Sequence, residues 1–216
     1  RATVTFYMLA LPFSYGVEKN YREAFVRIAS VYAPTKPVKQ VQKDAEDFQL
    51  LRMRALQLTS DLSCQDSLLA YTRAIEESFA ERMEGYHNEM NMEFTWSDAY
   101  MLNRGKIVNN SYFFEWSCVL YNLAALQSSL GCKEDRSTDE GIKQALRHFK
   151  SAAGIYTLLA STTSPLKKIS LGAGTCVSLC VSVCLCVSLC VSICQCFCDS
   201  LSHSHSHSHP HPLLLY

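Results

Sequence analysis

The segment from Tyr112 to Leu130 restricts the possible folds more than any other part of the chain, because as a helix it is apolar on two faces. A helix that is apolar on more than one side must be covered on more than one side, so this segment is predicted to be central. Gly131 follows it and predicts a C-terminal cap. The two stripes are Trp116, Val119, Leu123, Leu126 and Leu130, and Phe114, Cys118, Tyr121 and Ala125.

Four further segments predict amphipathic helices around the central one. Asn20 with Glu23 predicts a capping box for a helix that runs through Tyr32. The second, third and last predicted helices carry apolar residues at helical spacing. Their stripes are Val41, Ala45, Phe48, Leu51, Ala55 and Leu58; then Leu68, Tyr71, Ile75 and Phe79; then Ile142, Ala145, Leu146, Phe149, Ala153, Tyr156 and Leu159.

Polar residues mark the starts and the outer faces of these helices. Ser63 and Asp66 open the third helix, and Ser137 with Glu140 predicts a capping box for the last one. Small residues at 152–154 favour the close approach of another helix. The charges of the second helix predict a solvated face, and they are Lys43, Asp44, Glu46, Asp47, Arg52 and Arg54.

Extended structure is predicted at two places only. Thr3–Tyr7 is rich in β-branched and aromatic residues, and Pro12 ends that run. Met92–Trp96 is a second short extended run before a turn, and polar residues at 103–105 and 109–110 mark a loop. The predicted fold is therefore mainly all-α, with layered antiparallel helices and a small N-terminal β element.

Charge and cysteine divide the chain at Lys168. Lys and Arg number 20 and Asp and Glu number 20, a balance that gives no general attraction to nucleic acid. After Lys168 the only formally charged side chain is Asp199, yet eight of the 11 cysteines lie there. The three earlier cysteines are scattered as cytosolic thiols are. We therefore predict a domain at 1–168 and a separate low-complexity tail at 169–216.

Three hypotheses account for the tail. Residues 169–198 lack charge over more than the roughly 20 residues that span a bilayer, so they would anchor a helical protein in a membrane. Alternatively, the cysteines and the alternating Ser-His run are a metal-binding or palmitoylated tract. The third hypothesis is a disordered or artefactual tail, because simple DNA repeats encode Cys-Val-Ser-Leu and Ser-His. Since the chain begins at Arg1, it is also expected to be a fragment.

Catalysis has no candidate constellation in the sequence. Phosphate-binding loops, nucleophile elbows and zinc-protease motifs are missing. His148 lies on a predicted helix beside Arg147 and Lys150 and is interpreted as a surface or hydrogen-bonded residue. Cys118 lies inside the central helix and is interpreted as structural. The sequence predicts no enzyme activity, no cofactor, no metal centre and no small-molecule substrate.

Three segments in order resemble the BRO1 domain family. Phe94–Tyr100 reads FTWSDAY and is similar to the family's F-T-W-x-D-A-F. Phe114–Gly131 and Asp139–Leu159 are similar to the family's Y-E-K-x-x-V-L-F-N-x-x-A-L and D-E-G-L-K segments. The resemblance covers roughly residues 2–161, about the first half of such a domain. It implies a curved, tetratricopeptide-like helical fold with a small β element near its start.

The resemblance also implies a function. Family members are cytoplasmic adaptors, recruited to endosomes, which bind the C-terminal amphipathic helix of charged multivesicular body proteins, the ESCRT-III subunits. The polar contacts of that groove match Asp139 and Lys143, and its apolar anchors come from later helices of the family's domain. Alternatively, Asp139 only favours the helix N-terminus and Lys143 is only solvated.

Overall fold

The structure, a computed structural model, describes residues 10–32, 35–77, 92–99 and 105–163. The predicted strand at Thr3–Tyr7, Phe79 and the whole segment 169–216, with all three hypotheses for it, lie outside these residues. The described residues form five helices and two strands. They are α1 (Arg22–Tyr32), α2 (Val38–Ala55), α3 (Leu62–Ile75), β1 (Phe94–Ser97), β2 (Lys106–Asn109), α4 (Tyr112–Lys133) and α5 (Asp139–Thr163).

Helix α4 is the centre of the fold, as its two apolar faces predict. Helices α3 and α5 and strand β1 all pack against it. The predicted cap at Gly131 is wrong, because the helix continues to Lys133 and Gly131 is a buried residue inside it. A Cβ at Gly131 would lie 3.0 Å from the Phe149 ring of α5, so this glycine permits close packing of the two helices.

The helices are stacked in the order of the chain. Each packs against the next one, α1 on α2, α2 on α3, α3 on α4 and α4 on α5. Neighbour-to-neighbour packing of this kind is typical of layered helical folds and confirms the predicted fold class.

The stripe predicted for α2 is buried where the helix faces its neighbours. Val41, Ala45, Phe48 and Ala55 are buried, while Leu51 and Leu58 are partly buried against the same core, with Leu58 beyond the helix end. The prediction that all charges of α2 are solvated is wrong for one residue. The Arg52 side chain is 0% exposed, because Glu115 on α4 neutralises it.

Helix α1 begins after Asn20, whose Oδ1 accepts a hydrogen bond from Arg22 N–H at 3.0 Å. The cap of helix α3 lies two residues before the predicted one, and the helix begins at Leu62. Asp61 has extended backbone angles, and its side chain accepts a hydrogen bond from Cys64 N–H at 3.0 Å. The predicted cap at Ser63 is therefore wrong, since Asp61 performs that role.

The two strands form an antiparallel hairpin beside the helices. Phe94 pairs with Asn109 and Ser97 with Lys106. Strand β1 confirms the predicted extended run, whereas β2 lies where the sequence suggested only a loop. The chain before α1 runs beside β1 and forms one bridge, from Gly16 to Trp96. The hairpin thereby joins the N-terminal segment to α4.

Candidate partner-binding site

Helix α5 begins in a tight turn that fixes its first residues. Asp135 Oδ1 accepts hydrogen bonds from Ser137 N–H at 3.0 Å and from Ser137 Oγ at 2.7 Å. Thr138 Oγ1 accepts one from Gly141 N–H at 3.1 Å, so Thr138 is the cap. A Cβ on Gly141 would lie 1.8 Å from the Asp135 carbonyl oxygen, which leaves room only for glycine. The predicted capping box of Ser137 and Glu140 is therefore wrong.

The two candidate site residues lie just after this turn. Asp139 and Lys143 are both exposed and stand four residues apart on α5, a spacing that places them on one side of the helix. Among the described residues, neither belongs to an ion pair. Both charges are thus available to a partner from solvent.

Glu140 faces along α5 and not back to the turn. Its Oε1 accepts a hydrogen bond from Gln144 Nε2 at 3.0 Å and lies 3.8 Å from Arg147 Nη1. Both partners of the Glu140–Arg147 pair are 66% exposed, so water screens their attraction.

The opposite side of α5 is packed firmly on α4. Tyr156 contacts Tyr121 with ring centroids 5.8 Å apart. Of the small residues predicted to favour close approach, Ala152 is fully buried, whereas Gly154 is exposed and contacts no other element among the described residues. Helix α5 therefore presents Asp139 and Lys143 from a rigid support. The residues of α5 that are buried in this way are Ala145, Phe149, Ala152, Tyr156 and Leu159.

His148 joins the two helices at the edge of the same interface. Its Nδ1 lies 2.8 Å from Gln127 Oε1, and its Nε2 lies 3.5 Å from Glu134 Oε1. Gln127 Nε2 also donates to Gln65 Oε1 on α3 at 2.8 Å. His148 is thus a hydrogen-bonded structural residue, as predicted.

A buried polar cluster around Glu115 is the place where titratable groups converge. Glu115 accepts hydrogen bonds from Arg52 Nε at 2.9 Å, from Tyr71 OH at 3.0 Å and from Trp96 Nε1 at 2.5 Å. Burial lowers the pKa of Arg52, but the adjacent Glu115 carboxylate raises it above its ordinary value, so the guanidinium stays charged. The cluster connects α2, α3, β1 and α4 through one carboxylate.

This cluster is closed to solvent. The Arg52 and Glu115 side chains are both 0% exposed, and the Arg52 guanidinium lies over the Tyr21 ring, 4.8 Å from its centroid. Burial raises the pKa of Tyr71 well above its ordinary value, so its hydroxyl stays protonated. Since its two charged side chains are buried among the described residues, we interpret the cluster as a structural one that links the elements of the fold.

Sequence reasoning missed the Glu115 cluster, although a signal for it exists. Arg52 stands four residues after Phe48 and three before Ala55, which is a position within the apolar stripe of α2. Glu115 likewise lies between the apolar residues of the central helix. Two opposite charges at apolar-stripe positions of two predicted helices are the signal of a buried ion pair.

Comparison with known proteins identifies the family. A family model described as the BRO1-like domain matches residues 21–188. This chain belongs to the BRO1-like domain family. Among the described residues, the three segments that resemble the family include β1, most of α4 and most of α5.

Individual relatives agree with the family. The vacuolar protein-sorting protein BRO1 of Yarrowia lipolytica is 31% identical over 133 residues, which is 62% of this chain and 15% of that protein. The mouse tyrosine-protein phosphatase non-receptor type 23 is 30% identical over 118 residues, 54% of this chain and 7% of that protein. This chain thus spans a small part of the length of these two curated relatives.

A solved structure confirms the fold. The ALIX BRO1 domain in complex with CHMP4C matches with a TM-score of 0.67 at 23% sequence identity. The match covers 85% of this chain and 54% of that chain. At this identity the likeness establishes a BRO1 fold.

The described residues include neither a metal-binding group nor a membrane-spanning helix. Within residues 10–32, 35–77, 92–99 and 105–163, no three His, Cys, Asp or Glu side chains are grouped to hold a metal ion. The helices that the structure describes include none long and apolar enough to cross a bilayer.

Cys118 is buried on α4, and burial raises the pKa of its thiol well above the ordinary value, in agreement with its predicted structural role.

Proposed function

We propose that this BRO1-like domain is part of a non-enzymatic adaptor that binds the C-terminal amphipathic helix of a charged multivesicular body protein. Such proteins are ESCRT-III subunits, so the adaptor would work in the cytoplasm and be recruited to endosomes. Family membership, a vacuolar protein-sorting relative and the fold of a BRO1 domain solved with CHMP4C support the proposal.

The observation that carries the proposal is the pair of exposed charges on α5. Asp139 and Lys143 occupy the positions that the family resemblance assigns to partner contacts, and neither has an ion-pair partner among the described residues. A helix that docks alongside α5 can pair a cation with Asp139 and an anion with Lys143. This is helix-in-groove recognition with polar contacts at the edge.

Binding of a fluorescent peptide that carries an ESCRT-III C-terminal helix to the full 216-residue chain tests the proposal. Asp139→Ala and Lys143→Ala are each expected to weaken binding about 1.4- to fivefold, since an exposed ion pair contributes about 0.2–1 kcal/mol. Lys39→Ala removes an exposed charge from α2 and is the matched control.

Two results would contradict the proposal at different levels. If the wild-type chain does not bind the peptide, the adaptor function of this chain is rejected. If it binds and both alanine variants bind equally well, the adaptor function stands but Asp139 and Lys143 lie outside the contact.

A further inference from the structure

The connection between α1 and α2 carries charge of one sign only. Residues 24–43, which include the end of α1 and the start of α2, contain no acidic residue. The formal charges in this range are all basic and exposed: Arg27, Lys36, Lys39 and Lys43. Because one helix ends where the other begins, the two helix dipoles oppose each other there. The side chains therefore give this end of the helix pair its positive sign.

The protein itself neutralises little of this charge. Of the four basic residues, Lys36 alone belongs to an ion pair among the described residues, and its Nζ lies 3.5 Å from Asp44 Oδ2. The two side chains are 51% and 34% exposed, so water screens their attraction. Lys39 and Lys43 stand four residues apart, on one side of α2 and about 6 Å apart along its axis. Their like charges repel each other, and a nearby anionic surface would relieve that repulsion.

Two apolar side chains are exposed among these cations. Val31 is 67% exposed and Val38 is 68% exposed, which are the highest values for large hydrophobic residues in the part of the chain that the structure describes. Val38 stands three residues before the buried Val41, so it continues the apolar stripe of α2 beyond the core. Arg27 stands one turn before Val31 on the same side of α1. Apolar and basic groups therefore project together from one end of the fold.

This surface is here named the hairpin tip, and it consists of Arg27, Val31, Lys36, Val38, Lys39 and Lys43. The end of a pair of adjacent helices is convex, so it offers no groove for a peptide. Few apolar groups among several cations instead suit a broad and fluid partner, which needs no exact match of contacts. An anionic lipid bilayer has these properties, since its phosphates attract lysine and arginine and its interface accepts small apolar side chains.

We propose that the hairpin tip docks on the surface of an anionic lipid bilayer. Val31 and Val38 enter the interfacial layer, and the four basic side chains lie beside the lipid phosphates. This contact goes beyond the proposed function, because it requires no ESCRT-III subunit. Helix α5 lies at the other end of the helix stack, so a chain held by its hairpin tip keeps Asp139 and Lys143 accessible to a partner.

Sedimentation of the full 216-residue chain with vesicles tests the charges of the hairpin tip. The chain is expected to bind vesicles of phosphatidylcholine with phosphatidylserine and to dissociate as salt is added. Lys39→Gln with Lys43→Gln should weaken this binding about tenfold or more, because each basic residue near an anionic surface contributes to attraction. Lys106→Gln with Lys150→Gln makes the same change of net charge on exposed positions of β2 and α5 and is the matched control.

A second pair of variants tests the apolar part of the hairpin tip. Val31→Ser with Val38→Ser should weaken vesicle binding about fivefold, since it removes the apolar groups that enter the interface. Both positions are mostly exposed, so the substitutions are expected to leave the fold intact, and circular dichroism verifies this.

Tryptophan fluorescence locates the contact directly. In the variant Val38→Trp, the new indole is expected to shift its emission to shorter wavelength when anionic vesicles are added. Leu62→Trp is the matched control, because Leu62 is 64% exposed at the start of α3, at the opposite end of α2. Its emission should not change.

The outcomes decide the proposal. Equal binding to vesicles of phosphatidylcholine alone would overturn it and would attribute binding to the segment 169–198, which has no charged residue. An equal loss in the control variant of β2 and α5, or an equal emission shift for Leu62→Trp, would also overturn it. Binding of the ESCRT-III peptide in solution, without vesicles, should be the same for wild type and the hairpin-tip variants. The adaptor function and the membrane contact can therefore fail independently.

Discussion

Glu115 satisfies three donors at once inside the core, and its position explains why a charged residue is tolerated there. Arg52 supplies the compensating charge, and the Tyr71 and Trp96 donors occupy the remaining acceptor sites. A buried ion pair of this kind contributes little compared with an apolar pair of the same size, but losing one partner leaves an uncompensated charge. The two residues therefore depend on each other.

We expect Glu115→Leu to lower the free energy of unfolding by about 3–5 kcal/mol, because it leaves the Arg52 guanidinium buried without a counter-charge. The double variant Arg52→Met, Glu115→Leu is expected to recover more than half of that loss. Urea denaturation of the two single variants and the double variant measures this coupling.

A surface pair provides the comparison. Arg22 and Glu46 lie 3.7 Å apart with side chains 51% and 56% exposed, so Glu46→Ala should change stability by less than about 1 kcal/mol. If the double core variant is as unstable as the sum of its single variants, Arg52 and Glu115 do not act as a pair.

The burial of Arg52 was not predicted because arginine is usually exposed to solvent. The stripe of α2 locates its buried side correctly, but arginine on an amphipathic helix is usually solvated, and that tendency outweighed its position between Phe48 and Ala55. The burial of Arg52 depends on Glu115, 63 positions away. Helical periodicity within a segment carries no information about such a partner.

At the scale of the element, the caps show where local prediction ends. The start of α3 was expected at Ser63 and that of α5 at Ser137, and in both cases a neighbouring residue caps the helix. Ser63 Oγ instead donates to Asp61 Oδ1 at 2.6 Å, and Ser137 Oγ donates to Asp135 Oδ1 at 2.7 Å. Several adjacent residues are suitable caps, and only the backbone angles decide which of them accepts the helix N–H groups.

The Asp61 cap predicts a dependence of stability on pH. Hydrogen bonds from Ser63 and from Cys64 N–H lower the pKa of Asp61 from 3.8 to about 2. A carboxylate with a depressed pKa in the folded state stabilises the fold above pH 3.8, and this contribution is lost as the pH falls through about 2. Asp61→Asn should therefore be less stable than wild type near neutral pH, with a difference that shrinks in acid.

Thermal unfolding of wild type and Asp61→Asn between pH 6 and pH 3 is the measurement. Asp66→Asn removes an exposed carboxyl group from the following turn of α3 and is the control. A stability difference between wild type and Asp61→Asn that stays constant as the pH falls would show that the Asp61 carboxylate is not selectively bound in the folded state.

At the scale of the whole molecule, hydrogen bonds hold the segment before α1 against the central helix α4. Ser14 N–H donates to Asn122 Oδ1 at 2.8 Å, and Asn122 Nδ2 donates back to the Ser14 carbonyl at 2.8 Å. Leu11 N–H donates to Ser128 Oγ at 3.0 Å. A side chain of the central helix thus pairs with an extended backbone as a neighbouring strand would.

We expect Asn122→Ala to release this segment, since it leaves both backbone groups of Ser14 unpaired at a buried position. The loss in stability should be about 1–3 kcal/mol, and limited proteolysis should cut near residues 10–17 sooner than in wild type. Ser128→Ala removes a single hydrogen bond of the segment and should open it less. Equal protection of wild type and Asn122→Ala would contradict this account.

The order of the helices and the central position of α4 were predictable, because periodicity and two-sided apolarity are local properties of the sequence. The apolar stripe of the last helix placed Asp139 and Lys143 on one helix, the family resemblance singled them out as contacts, and their pairing with a partner stays a prediction. Strand β2 and the contact of Ser14 with Asn122 were not predictable. Asn122 lies 108 positions after Ser14, and β2 becomes a strand only by pairing with β1, a contact that its own residue pattern does not show.

The neighbour-to-neighbour packing of the helices has a consequence for how the molecule responds to a ligand. In such a stack, each helix is stabilised mainly by the helices next to it. Local unfolding therefore costs less free energy in helices that lie far from the most buried one. Helix α5 shares its main interface with α4. Binding of a partner helix to α5 would therefore slow amide hydrogen exchange most in α5 and α4. The added protection would decrease toward α1.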